Sequence, residues 1–135
     1  MPPTNGEAVL AIRTSTDVVM VRQSVRALAT ELGFSLVDQT KIVTAASELA
    51  RNTLEHGGGG SAKLEVGNQG IRKGLRLTFE DKGPGIPDVK LAMTDGYTTG
   101  GGMGLGLSGS KRLVNELNIV TKVGEGTCVT ATKWK

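Results

Sequence analysis

Glycine constrains this chain more than any other residue type. There are 20 glycines in 135 residues, about double the usual share of ~7%. Most of them are clustered, in the segments 57–60, 83–85, 100–109 and 124–126. Glycine tolerates positive φ angles and lets the backbone come close to a neighbour or a ligand. The places where these clusters fall therefore carry more information about function than the overall composition does.

Length and composition predict one domain over residues 1–135, with residues 1–6 as a disordered lead-in. The chain is 38% hydrophobic and 21% charged, as is typical of a soluble globular protein. No apolar run approaches the ~20 residues of a membrane span, and residues 1–15 lack the pattern of a signal peptide. The single cysteine, Cys128, cannot form an internal disulfide. We therefore expect a cytoplasmic protein that does not act at a membrane.

Charge and aromatic content argue against a nucleic-acid partner. The net charge is +3, but the lysines and arginines are scattered along the chain, and aromatic residues make up only 3% of it. Proteins that read single-stranded nucleic acids stack bases on aromatic side chains. We expect no nucleic acid among the partners, because neither a basic stripe nor a known motif is present.

Periodicity predicts an α+β fold with a mixed, mostly antiparallel sheet under helices on one face, a two-layer α/β sandwich. The predicted elements, in order, are a strand over 7–13, a helix capped by residues 15–17 and ended by Gly33, a helix from about Asp38 to the glycines at 57–60, a hairpin of strands 61–69 and 74–81, a loop over 82–104, a helix from about Gly106 to about Leu117, and strands over 118–123 and 127–134.

The glycines at 100–109 precede or open the third predicted helix, which favours a phosphate site. A helix N-terminus presents free N–H groups, and glycine allows close approach. The run 104–109 also satisfies G-x-G-x-x-G, but no apolar strand precedes it, as a dinucleotide fold requires. A P-loop fails as well, because Ser110 stands before Lys111 in the wrong order. A merely flexible loop remains an alternative.

Two polar groups elsewhere in the chain favour the phosphate interpretation. Glu48 and Asn52 are four residues apart and share a helix face, where a carboxylate and an amide oxygen can address a cation and a hydroxyl. Asp81 ends a strand before a Gly-Pro-Gly turn and can accept a hydrogen bond from an exocyclic amine. Taken singly, the first pair could be a solvated helix face and Asp81 an ordinary turn residue.

In this order and spacing the segments closely resemble the GHKL ATPase superfamily, which includes gyrase, Hsp90, histidine kinases and MutL. Glu48 and Asn52 match its N box, and Asp81-x-Gly83-x-Gly85 matches its first glycine box. Its second glycine box resembles Gly102-x-Gly104-Leu105-Gly106-Leu107. The resemblance implies an antiparallel sheet under helices, with ATP held between the helices and a lid.

The sequence also resembles the bacterial anti-sigma-factor and switch serine kinases over nearly its full length. The matching segments are Asp95 to Thr99 with the glycines after it, the helix around Glu48, and the ending from Gly124 to Trp134. This resemblance implies a stressosome switch kinase that phosphorylates serine or threonine on STAS-domain proteins and then activates a partner such as a phosphatase. Two alternatives remain: an ATP-dependent module that binds a sigma factor, and a detached histidine-kinase ATPase domain.

The resemblance also implies roles for individual residues. Glu48 would be the catalytic base, or would orient the attacking hydroxyl, and Asn52 would coordinate Mg²⁺ on the phosphates of ATP. Asp81 would bond the adenine amine, in a site to which Gly83 also belongs. The remaining nucleotide-binding residues would be Gly85 and Thr127 beside the base, and Gly102, Gly104 and Gly106, whose backbone N–H groups would bind the phosphates.

Two further residues are interpreted more plainly. His56 at the end of a helix is a favourable partner for the helix dipole rather than a phospho-acceptor. Cys128 is expected to be a packed strand residue, because a reactive thiol needs exposure and a cationic neighbour. The glycine run 57–60 has no explanation from the sequence alone.

Overall fold

The computed structural model describes residues 7–86 and 107–135, and they form a sheet with helices on one face. The elements are β1 (Glu7–Ile12), α1 (Ser15–Glu31), α2 (Leu36–Glu55), β2 (Gly60–Gln69), β3 (Arg72–Asp81), α3 (Leu107–Leu113), β4 (Glu116–Lys122) and β5 (Gly126–Trp134). No helix in these two ranges is long and apolar enough to cross a membrane.

The sheet has five strands in the order β1-β2-β3-β5-β4, and each neighbouring pair is antiparallel. Alternate side chains of β3 point to opposite faces, so that Leu75, Leu77 and Phe79 are buried while Arg76 and Glu80 are exposed. The buried side joins one core with the apolar stripes of α1 and α2. The predicted α+β sandwich is confirmed.

The helices begin at side-chain caps slightly earlier than the sequence pattern indicates. The N-cap of α1 is Thr14, which forms a capping box with Asp17, whereas the sequence predicted a cap within residues 15–17. The backbone N–H of Arg13 donates to Asp17 and lowers the pKa of that carboxyl. In the same way α2 starts at Leu36 rather than near Asp38, because the Ser35 hydroxyl accepts from the Asp38 N–H.

The predicted extent of the third helix is wrong at its C-terminal end. The sequence predicts a helix to about Leu117, but α3 ends at Leu113 and β4 begins at Glu116. Pairing with β5 ends the helix, since the Asn115 N–H donates to the Thr132 carbonyl and the Asn115 side chain accepts from the Trp134 N–H. These tertiary hydrogen bonds override the local helical pattern. The N-terminal boundary predicted near Gly106 lies outside the described residues.

Candidate functional site

A pocket opens between the C-terminal half of α2 and the ends of the central strands. Its empty space is about 340 Å³, part of which is open to solvent. Its described lining combines apolar walls with a few polar groups: Leu49, Asn52, Thr53, His56, Phe79, Asp81, Ile86, Leu107, Thr127 and Val129. An apolar slot with convergent polar groups suits a planar, polar-edged ligand.

Asp81 is held in the wall of this pocket by the sheet. It is the last residue of β3 and pairs with Gly60 on β2 and with Thr127 on β5. Its Oδ1 accepts from the backbone N–H groups of Gly83 at 2.9 Å and Thr127 at 3.3 Å. Oδ2 makes no hydrogen bond with the described residues, so this carboxylate retains an accepting oxygen for a ligand.

The glycine run 57–60 has a physical explanation in the structure. A Cβ on Gly57 would overlap the Asp81 carboxyl group, and one on Gly60 would overlap the Glu80 carbonyl oxygen. The run therefore lets the chain leave α2 and enter β2 in direct contact with β3. The sequence shows the run plainly, but only the strand pairing shows that Gly57 and Gly60 leave room for the Asp81 carboxyl group and the backbone of β3.

The Asp81–Gly85 turn lies against two other parts of the backbone. A Cβ on Gly83 would meet the Gly57 main chain at 2.7 Å, and one on Gly85 would meet the Lys122 carbonyl oxygen at 2.6 Å. His56 Nε2 lies 3.3 Å from the Gly85 carbonyl oxygen. Because a carbonyl only accepts, that contact requires a proton on Nε2. His56 thus ties the end of α2 to this turn, a role not foreseen from the sequence.

Thr127 joins a cluster of hydroxyl and backbone groups beside Asp81. Its Oγ1 lies 2.9 Å from the Oγ1 of Thr121, its cross-strand partner on β4. The Thr121 hydroxyl also accepts from the Ile86 N–H at 2.8 Å and donates to the Gly126 carbonyl at 3.2 Å. Thr121 was not identified from the sequence. The only feature of the sequence that could have indicated it is its position on the predicted strand before Thr127, six residues earlier.

Glu48 and Asn52, the two residues that match the N box, lie in different surroundings. Asn52 lines the pocket, whereas Glu48, one turn earlier on α2, is not among the described residues that line it. The Glu48 side chain is 37% exposed and forms an ion pair with Arg51 at 3.1 Å. The two residues are one helical turn apart, as predicted, but of the two only Asn52 is among the described residues that line the pocket.

Three predicted phosphate-binding glycines, Gly102, Gly104 and Gly106, lie outside the described residues. Among those described, no group of three His, Cys, Asp or Glu side chains is placed to hold a metal ion. Cys128 lies half-buried on β5, where burial, and to a smaller extent the charge of Glu80, raise the pKa of its thiol. That direction agrees with the expectation of a packed residue, because a reactive thiol needs a lowered pKa.

Comparison with known proteins identifies the fold and the relatives. Residues 37–135 match the family model described as "Histidine kinase-, DNA gyrase B-, and HSP90-like ATPase". The chain is 47% identical over 131 residues to the serine/threonine-protein kinase RsbT of Bacillus subtilis, covering 96% of this chain and 98% of that one. It is 33% identical to the anti-sigma F factor of Anoxybacillus flavithermus, covering 80% of this chain and 77% of the relative.

Solved structures agree at the level of the fold. The crystal structure of the RsbU and RsbW domains of a Mycobacterium tuberculosis protein superposes with a TM-score of 0.65 at 22% identity. It matches over 96% of this chain, which spans 33% of that longer one. The catalytic domain of the histidine kinase ThkA superposes with a TM-score of 0.55 at 15% identity, over 93% of this chain and 95% of that domain.

These comparisons confirm the family and the enzyme class that the sequence motifs predicted. The match to the ATPase model spans the pocket with its N-box and first glycine-box residues. The likeness to a serine/threonine-protein kinase extends over nearly the whole of both chains. The chain belongs to the family of histidine kinase-, DNA gyrase B- and HSP90-like ATPases, and its place in that family is with the serine/threonine-protein kinases.

Proposed function

We propose that this protein transfers the γ-phosphoryl group of ATP to a serine or threonine of a STAS-domain protein in a partner-switching pathway. The observation that carries the proposal is the Asp81 carboxylate, which is fixed by two backbone N–H groups beside the pocket. A partly buried accepting carboxylate in the wall of an apolar pocket is suited to the amine-bearing edge of adenine.

The apolar walls supply the contact area for the base. Phe79, Ile86 and Val129 line the slot beside Asp81, and burying apolar surface contributes about 25 cal/mol per Å². Thr127 stands next to the carboxylate, so that the polar edge of a purine would meet two oxygen-bearing side chains. This part of the pocket would bind and orient the nucleotide without taking part in the chemistry.

Asn52 would stand toward the phosphates and offer one amide oxygen to Mg²⁺. Magnesium at nucleotide sites keeps several waters and takes few protein ligands, with phosphate oxygens completing its shell. A single amide on the pocket wall fits that donor set, and a three-carboxylate cage is not needed. When bound, the metal would neutralise charge on the phosphates. The glycines at 102, 104 and 106 would add backbone N–H donors on the same side.

Glu48 would act on the protein substrate. Its carboxylate is one helical turn from Asn52 and half-exposed, where the hydroxyl of a bound protein can reach it. In the transfer step the hydroxyl oxygen forms a bond to the γ-phosphorus, the bond to the β-phosphate oxygen breaks, and the hydroxyl proton passes to Glu48. ADP leaves, and Glu48 then releases its proton to water.

The partners and the cellular site follow from the resemblance to switch kinases. We place the protein in the cytoplasm, acting on a STAS-domain scaffold or antagonist and then releasing it to engage a downstream phosphatase. A second candidate function is the sequestering of a sigma factor. It is favoured by the relatives named anti-sigma F factor, which are 30–33% identical.

The nucleotide site can be tested by the thermal stability of an Asp81→Asn variant. For the wild type, Mg-ATP at 100 times its Kd should add about 2.7 kcal/mol of stability. Asp81→Asn should lose most of that gain, because an amide NH₂ turned toward the adenine amine sets donor against donor. The measurement is the melting midpoint with and without Mg-ATP.

Asp38→Asn is the matched control for that experiment. Asp38 lies in the first turn of α2 and pairs with Lys133 at 3.5 Å, away from the pocket. This variant can melt lower but should keep the full ATP-induced shift. An equal shift in the Asp81 and Asp38 variants would remove Asp81 from the nucleotide site.

The phosphotransfer itself is tested with labelled ATP and STAS-domain proteins encoded near the gene. The expected result is label on a serine or threonine of the STAS protein and loss of the complex after transfer. Stable, ATP-dependent binding of a sigma factor, with no label on any STAS protein, would instead establish the second candidate function.

A further inference from the structure

The hydroxyl of Thr121 lies behind the pocket wall and makes three hydrogen-bonding contacts. Ile86 N–H lies 2.8 Å from Thr121 Oγ1, the Gly126 carbonyl oxygen 3.2 Å and the Thr127 hydroxyl 2.9 Å. Thr121 is not among the residues that line the pocket, whereas Thr127 is. Any effect of Thr121 on a ligand would therefore pass through the two pocket residues that it bonds, Thr127 and Ile86.

Counting hydrogens fixes the direction of each bond. A threonine hydroxyl has one hydrogen and two lone pairs. The Ile86 amide can only donate and the Gly126 carbonyl can only accept, so Thr121 accepts from the first and gives its one hydrogen to the second. The third contact can then form only if Thr127 donates its hydrogen to the remaining lone pair of Thr121.

This assignment decides what Thr127 can offer to a ligand. With its hydrogen committed to Thr121, the Thr127 hydroxyl presents only lone pairs toward the pocket. The neighbouring Asp81 carboxylate accepts hydrogen bonds and cannot donate them while ionised. Both polar side chains in this part of the pocket are therefore acceptors, and a ligand edge there must bring donors.

We propose that Thr121 is a positioning residue that fixes the proton of Thr127 and so makes this part of the pocket select a 6-amino purine over a 6-oxo purine. Adenine offers an amine at position 6, whereas hypoxanthine and guanine offer a carbonyl oxygen that would face two acceptors. Setting acceptor against acceptor at a buried hydroxyl and a partly buried carboxylate costs about tenfold or more in affinity. The inference rests on the proposed nucleotide site and adds the group that sets its base selectivity.

Removal of the Thr121 hydroxyl should weaken the selectivity by a specific route. In Thr121→Val the hydrogen of Thr127 loses its acceptor, so the Thr127 hydroxyl can rotate and donate to a 6-oxo group. The ratio of affinities for ATP and ITP should then fall, even if both affinities drop because Ile86 and Gly126 lose a partner. A merely structural role for Thr121 would lower both affinities and leave their ratio unchanged.

The experiment measures the Kd of Mg-ATP and Mg-ITP by calorimetry for the wild type and four variants. Thr121→Val and Thr121→Ala remove the hydroxyl, so that either one suffices if the other does not fold. Thr121→Ser keeps the hydroxyl and should restore the selectivity. Thr130→Val is the matched control, because Thr130 lies three residues after Thr127 on β5 and faces the other side of the sheet.

We expect the wild type, Thr121→Ser and Thr130→Val to favour ATP over ITP by about tenfold or more. In the two variants without the hydroxyl this ratio should be at least about threefold lower than in the wild type, with some preference for ATP remaining because Asp81 still only accepts. Three results would each overturn the inference and leave the proposed function standing. The first is a wild-type ratio in Thr121→Val or Thr121→Ala, and the second is a serine variant as unselective as the valine variant. The third is a wild type that binds ITP as well as ATP. A wild type that binds neither nucleotide would overturn both.

Discussion

The polar groups of the sheet and those of α2 are held in opposite ways. On the sheet side, Asp81 and Thr127 are joined to neighbouring strands by hydrogen bonds to backbone and hydroxyl groups. On α2, just outside the described lining of the pocket, Glu48 forms a salt bridge with Arg51, and these two side chains are 37% and 48% exposed. On the sheet side the protein itself fixes the polar groups and leaves Asp81 Oδ2 to accept from a ligand, whereas the Glu48 carboxylate on α2 is in contact with solvent.

This difference fits the two tasks that we propose for these residues, nucleotide binding for Asp81 and Thr127 and proton transfer for Glu48. A base-binding site gains selectivity when its polar groups have fixed directions, because the wrong ligand cannot reorient them. A group that receives a proton from another protein must remain accessible. An exposed ion pair contributes only about 0.2–1 kcal/mol, so an incoming substrate can displace Arg51 from Glu48 at small cost.

The largest expected effect comes from Glu48→Gln, on α2. Glutamine keeps the size of the side chain but cannot accept the proton of the substrate hydroxyl at neutral pH. Phosphorylation of the STAS partner should fall by about 10²–10⁴-fold while the Kd of Mg-ATP stays near that of the wild type. Single-turnover transfer and calorimetry on the same samples measure the two quantities. A wild-type transfer rate would show that Glu48 is not the base.

The next largest effect is expected on the sheet side, from Gly126→Ala. Gly126 has a φ of +116°, and a Cβ there would overlap the Asp81 carbonyl oxygen. Backbone strain and overpacking together should lower the free energy of unfolding by about 2–5 kcal/mol. Chemical denaturation measures this loss, and ATP binding should weaken as well because Thr127 is adjacent.

Gly124→Ala is the control that separates the backbone strain of a positive φ from the steric overlap of a new Cβ with its neighbours. Gly124 also has a positive φ, of +82°, but a Cβ there would meet nothing within 4 Å. It should lose only about 1–2 kcal/mol, from the left-handed backbone alone. Equal losses at positions 124 and 126 would mean that the close packing around Asp81 contributes nothing.

The smallest effect is expected from Arg51→Ala. Because the pair with Glu48 is exposed, the free energy of unfolding should fall by no more than about 0.5 kcal/mol. The phosphotransfer rate should change far less than in Glu48→Gln. A loss of transfer as large as that of Glu48→Gln would show that Arg51, and not only Glu48, acts on the substrate. The salt bridge on α2 would then be required for transfer, and the contrast with the fixed groups of the sheet would fail.

Much of the fold follows from local patterns in the sequence. The alternation of Leu75, Leu77 and Phe79 places β3 correctly, and the stripe that includes Ile42 and Leu49 is the buried face of α2. The C-terminal end of α3 could not be predicted from a local sequence pattern. Asn115 leaves the helix because its hydrogen-bond partners lie on β5, and a local pattern carries no information about partners so distant in the chain.

The sequence by itself determined the family and the candidate residues, because motif spacing and amphipathic periodicity are local properties of the chain. It placed Glu48, Asn52 and Asp81 on their elements from these properties alone. The tertiary structure decided what the glycine run 57–60 does and that Thr121 lies behind Thr127. Both depend on strand register, which sets which backbone atoms touch and which lone pairs remain, and that register arises only when distant segments pair.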